Sequence, residues 1–411
     1  MSRRLPRLSL VGLGAVAGPG LLAGLSDDDP AGITTYSILG ADYGYTLLWV
    51  LALSTGALIA FHELGARMGV VTGKGLMTLV RERFGGRRTA LALAALVVAN
   101  VGTTCAELAG VAAALELAHV SRYISVPIAA VLVSWLVLRE SFHRLEHLLL
   151  AVSAIFAAYV LSGILAHPDW SATARGLVVP SVAVSRHAAL VIAATVGTTL
   201  APWGLTFIQS YAVDKRLSRR DLPLERIDVV VGATATGVIG LFVVVACAAT
   251  LHAKGTSISD AGDAAAALRP LAGNLASALF AAGLLGAALL AAAILPLSTA
   301  YSIAEVVHAE AKLDDNFREA PTFYMSFFAV MAVAAALVLV PGAPLVRILF
   351  LTQALNAVLL LPLLGLMLVL ARDKSVLGDD TSSRGWWVAE LVSFAVVSLS
   401  VGALAVLEVF R

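Results

Sequence analysis

Charge is scarce in this chain. Only 13% of its 411 residues are Asp, Glu, Lys or Arg, about half the 25% typical of a soluble globular domain. Against 59% hydrophobic residues and a mean hydropathy of +0.91, so few charges cannot clothe a water-facing surface. Lipid must solvate most of the molecule. Cysteine is nearly absent too. Cys105 and Cys247 each sit inside an apolar run, with no CxxC pair. That excludes a disulfide framework and a Cys/His metal box, and leaves two free core thiols. A net charge of +1 gives no basic footprint for nucleic acid. No phosphate-binding glycine loop and no nucleophile elbow occurs, which excludes a nucleotide-driven pump on this chain. One enzyme-like motif is present: His143-Arg144-Leu145-Glu146-His147 has the H-x-x-E-H zinc-protease spacing. It opens an apolar run just after a basic loop, with no further acidic ligand helix, and is read as part of a span. Nothing in the sequence points to an enzyme or to a resident cofactor.

What is present is a series of apolar runs. About 20 such residues cross the hydrocarbon as a helix. Eleven candidate spans lie at about 11–40, 47–70, 89–118, 124–138, 146–166, 188–213, 228–252, 275–305, 324–340, 344–371 and 386–410. The segment Met1–Leu25 is basic and then apolar, like a signal peptide. No small-residue cleavage site leads into a soluble domain, so it is read as the start of the first span. Lys and Arg should collect in cytoplasmic loops. With the N-terminus inside, 21 of the 28 basic residues fall in inner segments and 7 in outer ones. This bias predicts a multi-pass protein of the cell (inner or plasma) membrane, N-terminus cytoplasmic and C-terminus outside. No separate soluble domain is visible, and the oligomeric state is not legible.

Two spans are interrupted. The first contains Asp27-Asp28-Asp29-Pro30-Ala31-Gly32. Each carboxylate costs about 2.5–3.5 kcal/mol at the centre of a membrane helix. Pro30 lacks an N–H and clashes with the preceding turn, while Gly32 eases departure from helical geometry. The helix should unwind there, its freed carbonyls facing a cavity rather than lipid. The sixth span repeats the device at Gly197-Thr198-Thr199-Leu200-Ala201-Pro202-Trp203-Gly204. Paired broken helices in corresponding halves point to a secondary-transporter site. They suggest a five-helix unit used twice, with repeat 1 at about 11–166, repeat 2 at about 188–371 and an extra helix at 386–410.

An acidic, carbonyl-rich site with oxygen donors suits a hard cation such as Mg²⁺, Mn²⁺ or Ca²⁺. Asp29, beside the proline, is the first-choice ligand. Asp28 and Asp27 either assist or line a vestibule. The Thr198 carbonyl and the polar Thr199 are candidates from the sixth span. Gln353 and Asn356 share a face of the tenth span; they line the cavity or bond helix to helix. Glu107, in the third span, reads as a proton-pathway acid or as a carboxyl held neutral by its neighbours. His62 and Glu63 lie towards the inner end of the second span, placed to pair with basic loop residues. Glu116 and His119 read as interfacial. A small organic cation or amino-acid-like solute, its ammonium on Asp29, is the competing substrate class. A non-transporting sensor would need a sizeable soluble domain, and none is visible.

These motifs resemble a family. Gly18-Pro19-Gly20, Asp29-Pro30-Ala31-Gly32 and Tyr43-Gly44-Tyr45 through Trp49 look like the first span of the NRAMP divalent-metal transporters. Glu63 through Gly73 resembles their second-span ending, Gly197 through Trp203 their sixth span, and Leu351-Thr352-Gln353-Ala354-Leu355 their tenth. The resemblance implies an all-α membrane protein with a LeuT-like 5+5 inverted repeat, eleven transmembrane helices and alternating access. It also implies departures. Gly32 stands where the family has a metal-binding asparagine, and Ala201 where it has a methionine thioether. Trp203 replaces a histidine tied to proton movement, and Thr104 replaces an acid of the third span, although Glu107 matches a second family acid. Asp29 alone survives of the side-chain ligands. The pattern is similar to an NRAMP-related branch associated with Mg²⁺ and Mn²⁺. It implies a roomier cavity at Gly32 and Ala201, and weighs against proton coupling as the family performs it.

Overall fold

Proline marks where several helices begin. Its missing N–H and fixed φ suit the first helical position. In the computed structural model, which describes residues 19–139, 157–181, 185–259, 261–269, 273, 276–309 and 317–409, Pro19 opens α1 (Pro19–Ser26) and Pro30 opens α2 (Pro30–Tyr43). Together α1 and α2 make the broken first span. The chain continues through α3 (Leu48–Thr72), the short α4 (Leu76–Phe84), α5 (Gly86–Glu116), α6 (Arg122–Arg139), α7 (Ala157–Leu165) and the short α8 (Trp170–Val178). The second broken span is α9 (Arg186–Thr199) and α10 (Pro202–Asp214). After it come α11 (Leu222–Thr250), α12 (Ala261–Ala265), α13 (Ala276–Val307), α14 (Pro321–Val338), α15 (Leu345–Ala371), α16 (Lys374–Leu377) and α17 (Arg384–Val409).

Eight of the described helices are long and apolar enough to cross a membrane, counting α9 and α10 as one through their break. The expected spans and the observed helices agree to a few residues wherever both are described. The fifth span is described only from Ala157, and Arg3, Arg4, Arg7 and the His143–His147 motif lie outside the described residues. Between the expected spans, the stretches 71–88 and 167–187 carry the short helices α4 and α8. The first is amphipathic, burying Leu76, Met77, Leu79 and Val80 while Arg81 and Arg83 close its last turn. A helix of nine residues lies below the length at which an apolar run reveals itself as a span.

In lipid, apolar side chains gain little by leaving one helix surface for another. Close backbone approach through small residues is what binds membrane helices. The contact of α1 with α11 follows that rule. A Cβ built on Gly24 would lie 2.5 Å from the Gly232 carbonyl carbon, and one on Gly232 would lie 2.3 Å from the Gly20 carbonyl oxygen. After the break the register changes: Tyr36 faces Gly240, and Gly40 faces Val244. The pairing has slipped by four residues, about 6 Å of helix rise. The change falls between Asp28, which keeps the first register with Thr236, and Tyr36.

A buried ion cluster ties the last span to the bundle. Arg67 on α3 meets Glu63 at 3.1 Å and Glu390 of α17 at 3.3 Å, while Arg226 of α11 reaches Glu63 at 2.7 Å. Arg67 also donates to the Asp380 carbonyl and to Ser382. Each buried charge thereby has a partner, as burial requires. Glu63 thus finds basic partners as its sequence position suggested. His62 does not. It is fully buried, neither ring nitrogen has a hydrogen-bond partner, and its Nε2 sits 3.0 Å from the point where a Cβ on Gly204 would be. One residue along a helix turns the side chain by about 100°, which points Glu63 at the ion cluster and His62 at α10.

Candidate metal site at the two helix breaks

Asp29 is the N-cap of α2. Its backbone is extended (φ −73°, ψ 170°), and its Oδ1 accepts from the Gly32 amide at 2.5 Å. An aspartate at this position satisfies one of the free amides that every helix N-terminus carries. The two residues before it have the same side chain and different surroundings. Asp28 turns towards α11, where the Thr236 hydroxyl meets its Oδ2 at 2.8 Å. Among the described residues Asp27 has no hydrogen-bond donor on either oxygen. All three are buried, none more than 3% exposed. Non-helical chain at the break sends successive side chains in different directions, so a run of three acids does not become one three-acid cluster. Among the described residues no group of three His, Cys, Asp or Glu side chains converges to hold a metal.

A fourth acid joins them from α5. Glu107 is fully buried, with no donor on either oxygen among the described residues, and the group it faces is the Asp29 carboxyl. Gly110, three residues along the same helix, packs against the Pro30 ring, which holds α5 against the start of α2. The charges bearing most on Asp27, Asp28 and Glu107 are neighbouring carboxyls. Carboxyls packed so closely in a low-dielectric interior need protons or a cation among them.

Three oxygens gather beside Gly32. A Cβ built there would stand 2.6 Å from the Asp27 carbonyl oxygen, 3.2 Å from Asp29 Oδ1 and 3.3 Å from the Thr198 hydroxyl. This corrects the expectation of a roomier cavity at that position. The space a side chain would take is filled by oxygen atoms, because the break folds the Asp27 carbonyl back over Gly32. The Thr198 hydroxyl has no hydrogen-bond partner, so it is the side chain rather than the expected carbonyl that approaches this point. Thr199 is not free to take part. Its hydroxyl bonds the Thr195 carbonyl at 2.8 Å and Tyr36 of α2 at 2.9 Å.

The second break is built without charge. The Leu200 amide closes α9 on the Val196 carbonyl, and Ala201 (φ −73°, ψ 142°) leads into Pro202 with no side-chain cap. Gly197 lies under α15: a Cβ there would be 2.0 Å from the Gln353 carbonyl oxygen. Gln353 and Asn356 are both buried, and Asn356 Nδ2 donates to Gln353 Oε1 at 3.0 Å and to Thr103 of α5 at 2.9 Å. The helix-to-helix bond, one of the two expected roles, is therefore made. Asn356 Oδ1 has no donor. Thr236, Tyr36 and Asp228 were not singled out in the sequence. Each acts on the break from a distant part of the chain or from beyond the motif.

Residues 20–407 match the Nramp family, described as natural resistance-associated macrophage protein-like. The chain belongs to the Nramp family. It is similar to proteins named divalent metal cation transporter MntH. The relative from Burkholderia ambifaria is 28% identical over 379 residues, which cover 89% of this chain and 83% of the relative. The one from Ralstonia nicotianae is 33% identical over 289 residues, covering 65% and 64%. Among solved structures, the manganese transporter of Eremococcus coleocola superposes with a TM-score of 0.77 at 19% identity, covering 95% of this chain and 87% of that one. MhsT in complex with L-phenylalanine gives a TM-score of 0.58 at 15% identity. These likenesses establish the LeuT-like fold, the expected all-α inverted-repeat architecture with both broken spans. In this Nramp chain the two breaks are the Asp27–Asp29 segment and the Leu200–Ala201 junction.

Proposed function

We propose that this Nramp protein carries divalent metal cations across the membrane by alternating access, with a preference for the hard ions Mg²⁺ and Mn²⁺. One observation carries the reading: the carboxylate of Asp29, the carbonyl of Asp27 and the hydroxyl of Thr198 crowd one point beside Gly32. Carboxylate, carbonyl and hydroxyl are hard oxygen donors, the set that suits Mg²⁺, Mn²⁺ and Ca²⁺. Ala201 offers no sulfur to favour a softer ion. Few protein ligands suit a substrate that must leave again, and Mg²⁺ in particular keeps several of its waters. Gln353 and Asn356 stand behind the second break as supports of α5 and α15, and Glu107 opposite Asp29 is the acid placed to carry a proton. The basic loops put the N-terminus in the cytoplasm and the C-terminus outside. The MntH relatives, named for divalent metal cation transport, support the same substrate class. The names of these relatives also favour a metal over an organic cation or amino-acid-like solute.

The test is flux. Purified protein in liposomes should admit Mn²⁺ and Mg²⁺, and Asp29→Ala should fall below about 1% of wild-type influx, about 3 kcal/mol of lost ion binding. Wild-type flux in Asp29→Ala, or no metal flux in wild type, would remove this reading.

A further inference from the structure

Helix α11 holds the first half-helix along its whole length. Gly20 meets Asp228, Gly24 meets Gly232 and Asp28 meets Thr236, each pair 208 positions apart in the chain. Contacts recur every four residues, about one turn, so a single face of α11 lies along α1. At one end Asp228 Oδ2 accepts from the Gly20 amide at 2.7 Å and from the Leu21 amide at 3.2 Å, capping α1. At the other end the Thr236 hydroxyl bonds both Asp28 Oδ2 and the Gly24 carbonyl. A threonine hydroxyl has one hydrogen. The carboxyl of Asp28 and the last turn of α1 therefore compete for it, and strengthening one bond weakens the other.

We propose that Thr236 is a positioning residue that sets the ion preference of the break, by drawing the Asp28 carboxylate onto α11 so that the ion meets one carboxylate, Asp29, instead of two. The proposal rests on Asp29 as the ion-binding residue. Thr236 donates to Asp28 Oδ2, and among the described residues no donor reaches Asp28 Oδ1. Without that donor a buried carboxylate is left unsatisfied, a costly arrangement, and a divalent cation beside the adjacent Asp29 is the nearest remedy. A second carboxylate would grip the ion harder and strip more of its water. Mg²⁺ gives up water reluctantly and demands near-ideal octahedral geometry, while larger ions tolerate irregular coordination. Retaining Asp28 on α11 therefore keeps the site loose enough for a hydrated ion to enter and leave. It also gives ion binding a path to α1. Should an ion draw Asp28 away, the hydroxyl hydrogen of Thr236 passes wholly to Gly24 and tightens α1 on α11.

Thr236→Val keeps the shape of the side chain and removes the hydroxyl; Thr236→Ser keeps the hydroxyl. Calorimetry with Mn²⁺ and Mg²⁺, and KM and maximal flux in liposomes, separate the roles. In Thr236→Val the Kd and KM for Mn²⁺ should fall about tenfold, the scale on which an outer-shell partner tunes a metal site. Maximal flux should fall with them, and the gain for Mg²⁺ should be smaller, so that preference moves towards Mn²⁺. Thr236→Ser should retain wild-type values, and adding Asp28→Asn to Thr236→Val should erase the gain. Unchanged or weaker Mn²⁺ binding in Thr236→Val overturns the proposal, as does a gain that survives Asp28→Asn. If the valine variant fails to accumulate, Thr236→Cys, a weak donor, is measured instead: an intermediate KM supports the role and a wild-type or raised KM overturns it. Loss of flux in Asp29→Ala alongside an unaltered Thr236→Val rejects the positioning role alone. Wild-type flux in Asp29→Ala rejects the underlying site.

Discussion

The two breaks use one backbone device with opposite chemistry. Each ends a half-helix, passes through an extended residue (Asp29 or Ala201) and restarts on a proline at the first helical position. The first break concentrates charge. It places three carboxyls in the interior, faces a fourth on α5, and leaves several of their oxygens without donors. The second break holds no charge; the Thr198 hydroxyl and Trp203 Nε1 lack partners among the described residues, but neighbours fix the rest of it on several sides. Tyr36 bonds Thr199, α15 lies on Gly197, and Ser298 bonds both Thr206 and the Trp203 carbonyl. Unsatisfied groups held in a packed interior store the means to respond to a ligand, whereas satisfied ones make a fixed seat. The comparison assigns the response to the ion to the first break and the rigid platform to the second.

Small side-chain additions should separate these roles. Gly197→Ala puts a carbon 2.0 Å from the Gln353 carbonyl oxygen and 2.6 Å from the Ala357 amide nitrogen. Both neighbours are backbone in the middle of a helix and cannot give way locally. The expected cost is about 3 kcal/mol, the upper end for overpacking, read as a large drop in melting temperature in detergent with transport lost alongside. Gly32→Ala meets its closest atom, the Asp27 carbonyl, at 2.6 Å, but that carbonyl belongs to unwound chain. A strain of about 1 kcal/mol should leave melting close to wild type while metal flux falls at least about tenfold. Equal melting losses in the two variants would break the comparison, because the first break would then be as rigid as the second.

How far the sequence carries this picture depends on the range of the interaction. Pro30 and Pro202 are local signals, and each fell where a half-helix begins. The span limits were legible because membrane thickness fixes helix length. The short α4 was not, since its amphipathic pattern is brief and its flanks are polar. The place of Asp29 as the N-cap of α2 is local too, since it needs only the three residues after it. Asp28 was not distinguishable from its neighbours, since what separates it is Thr236, more than 200 residues away. The error at Gly32 has the same origin. A missing side chain suggested space, but whether space exists depends on where the Asp27 carbonyl and Thr198 fold to, and composition is silent on that. His62 and Glu63 show the limit at its finest: adjacent residues on one helix, one inside the ion cluster and the other against α10.

The smallest expected effect tests a direct bond between the two broken spans. Tyr36 on α2 reaches Thr199 at the end of α9 with its hydroxyl, at 2.9 Å. Tyr36→Phe keeps the ring, which packs against Gly240 of α11, and deletes the bond alone. A buried neutral hydrogen bond contributes about 0.5–1.5 kcal/mol, and Thr199 retains the Thr195 carbonyl as its own acceptor. Melting should therefore fall by a few degrees at most, and the Kd for Mn²⁺ should stay within about twofold of wild type. Turnover is where a change belongs if the second break is a fixed seat against which the first moves, because α2 would lose its tether to that seat while the ligands stay in place. Maximal flux altered severalfold at constant Kd would sharpen the division of labour. A Kd that weakens as much as flux falls would instead make the two breaks a single binding unit.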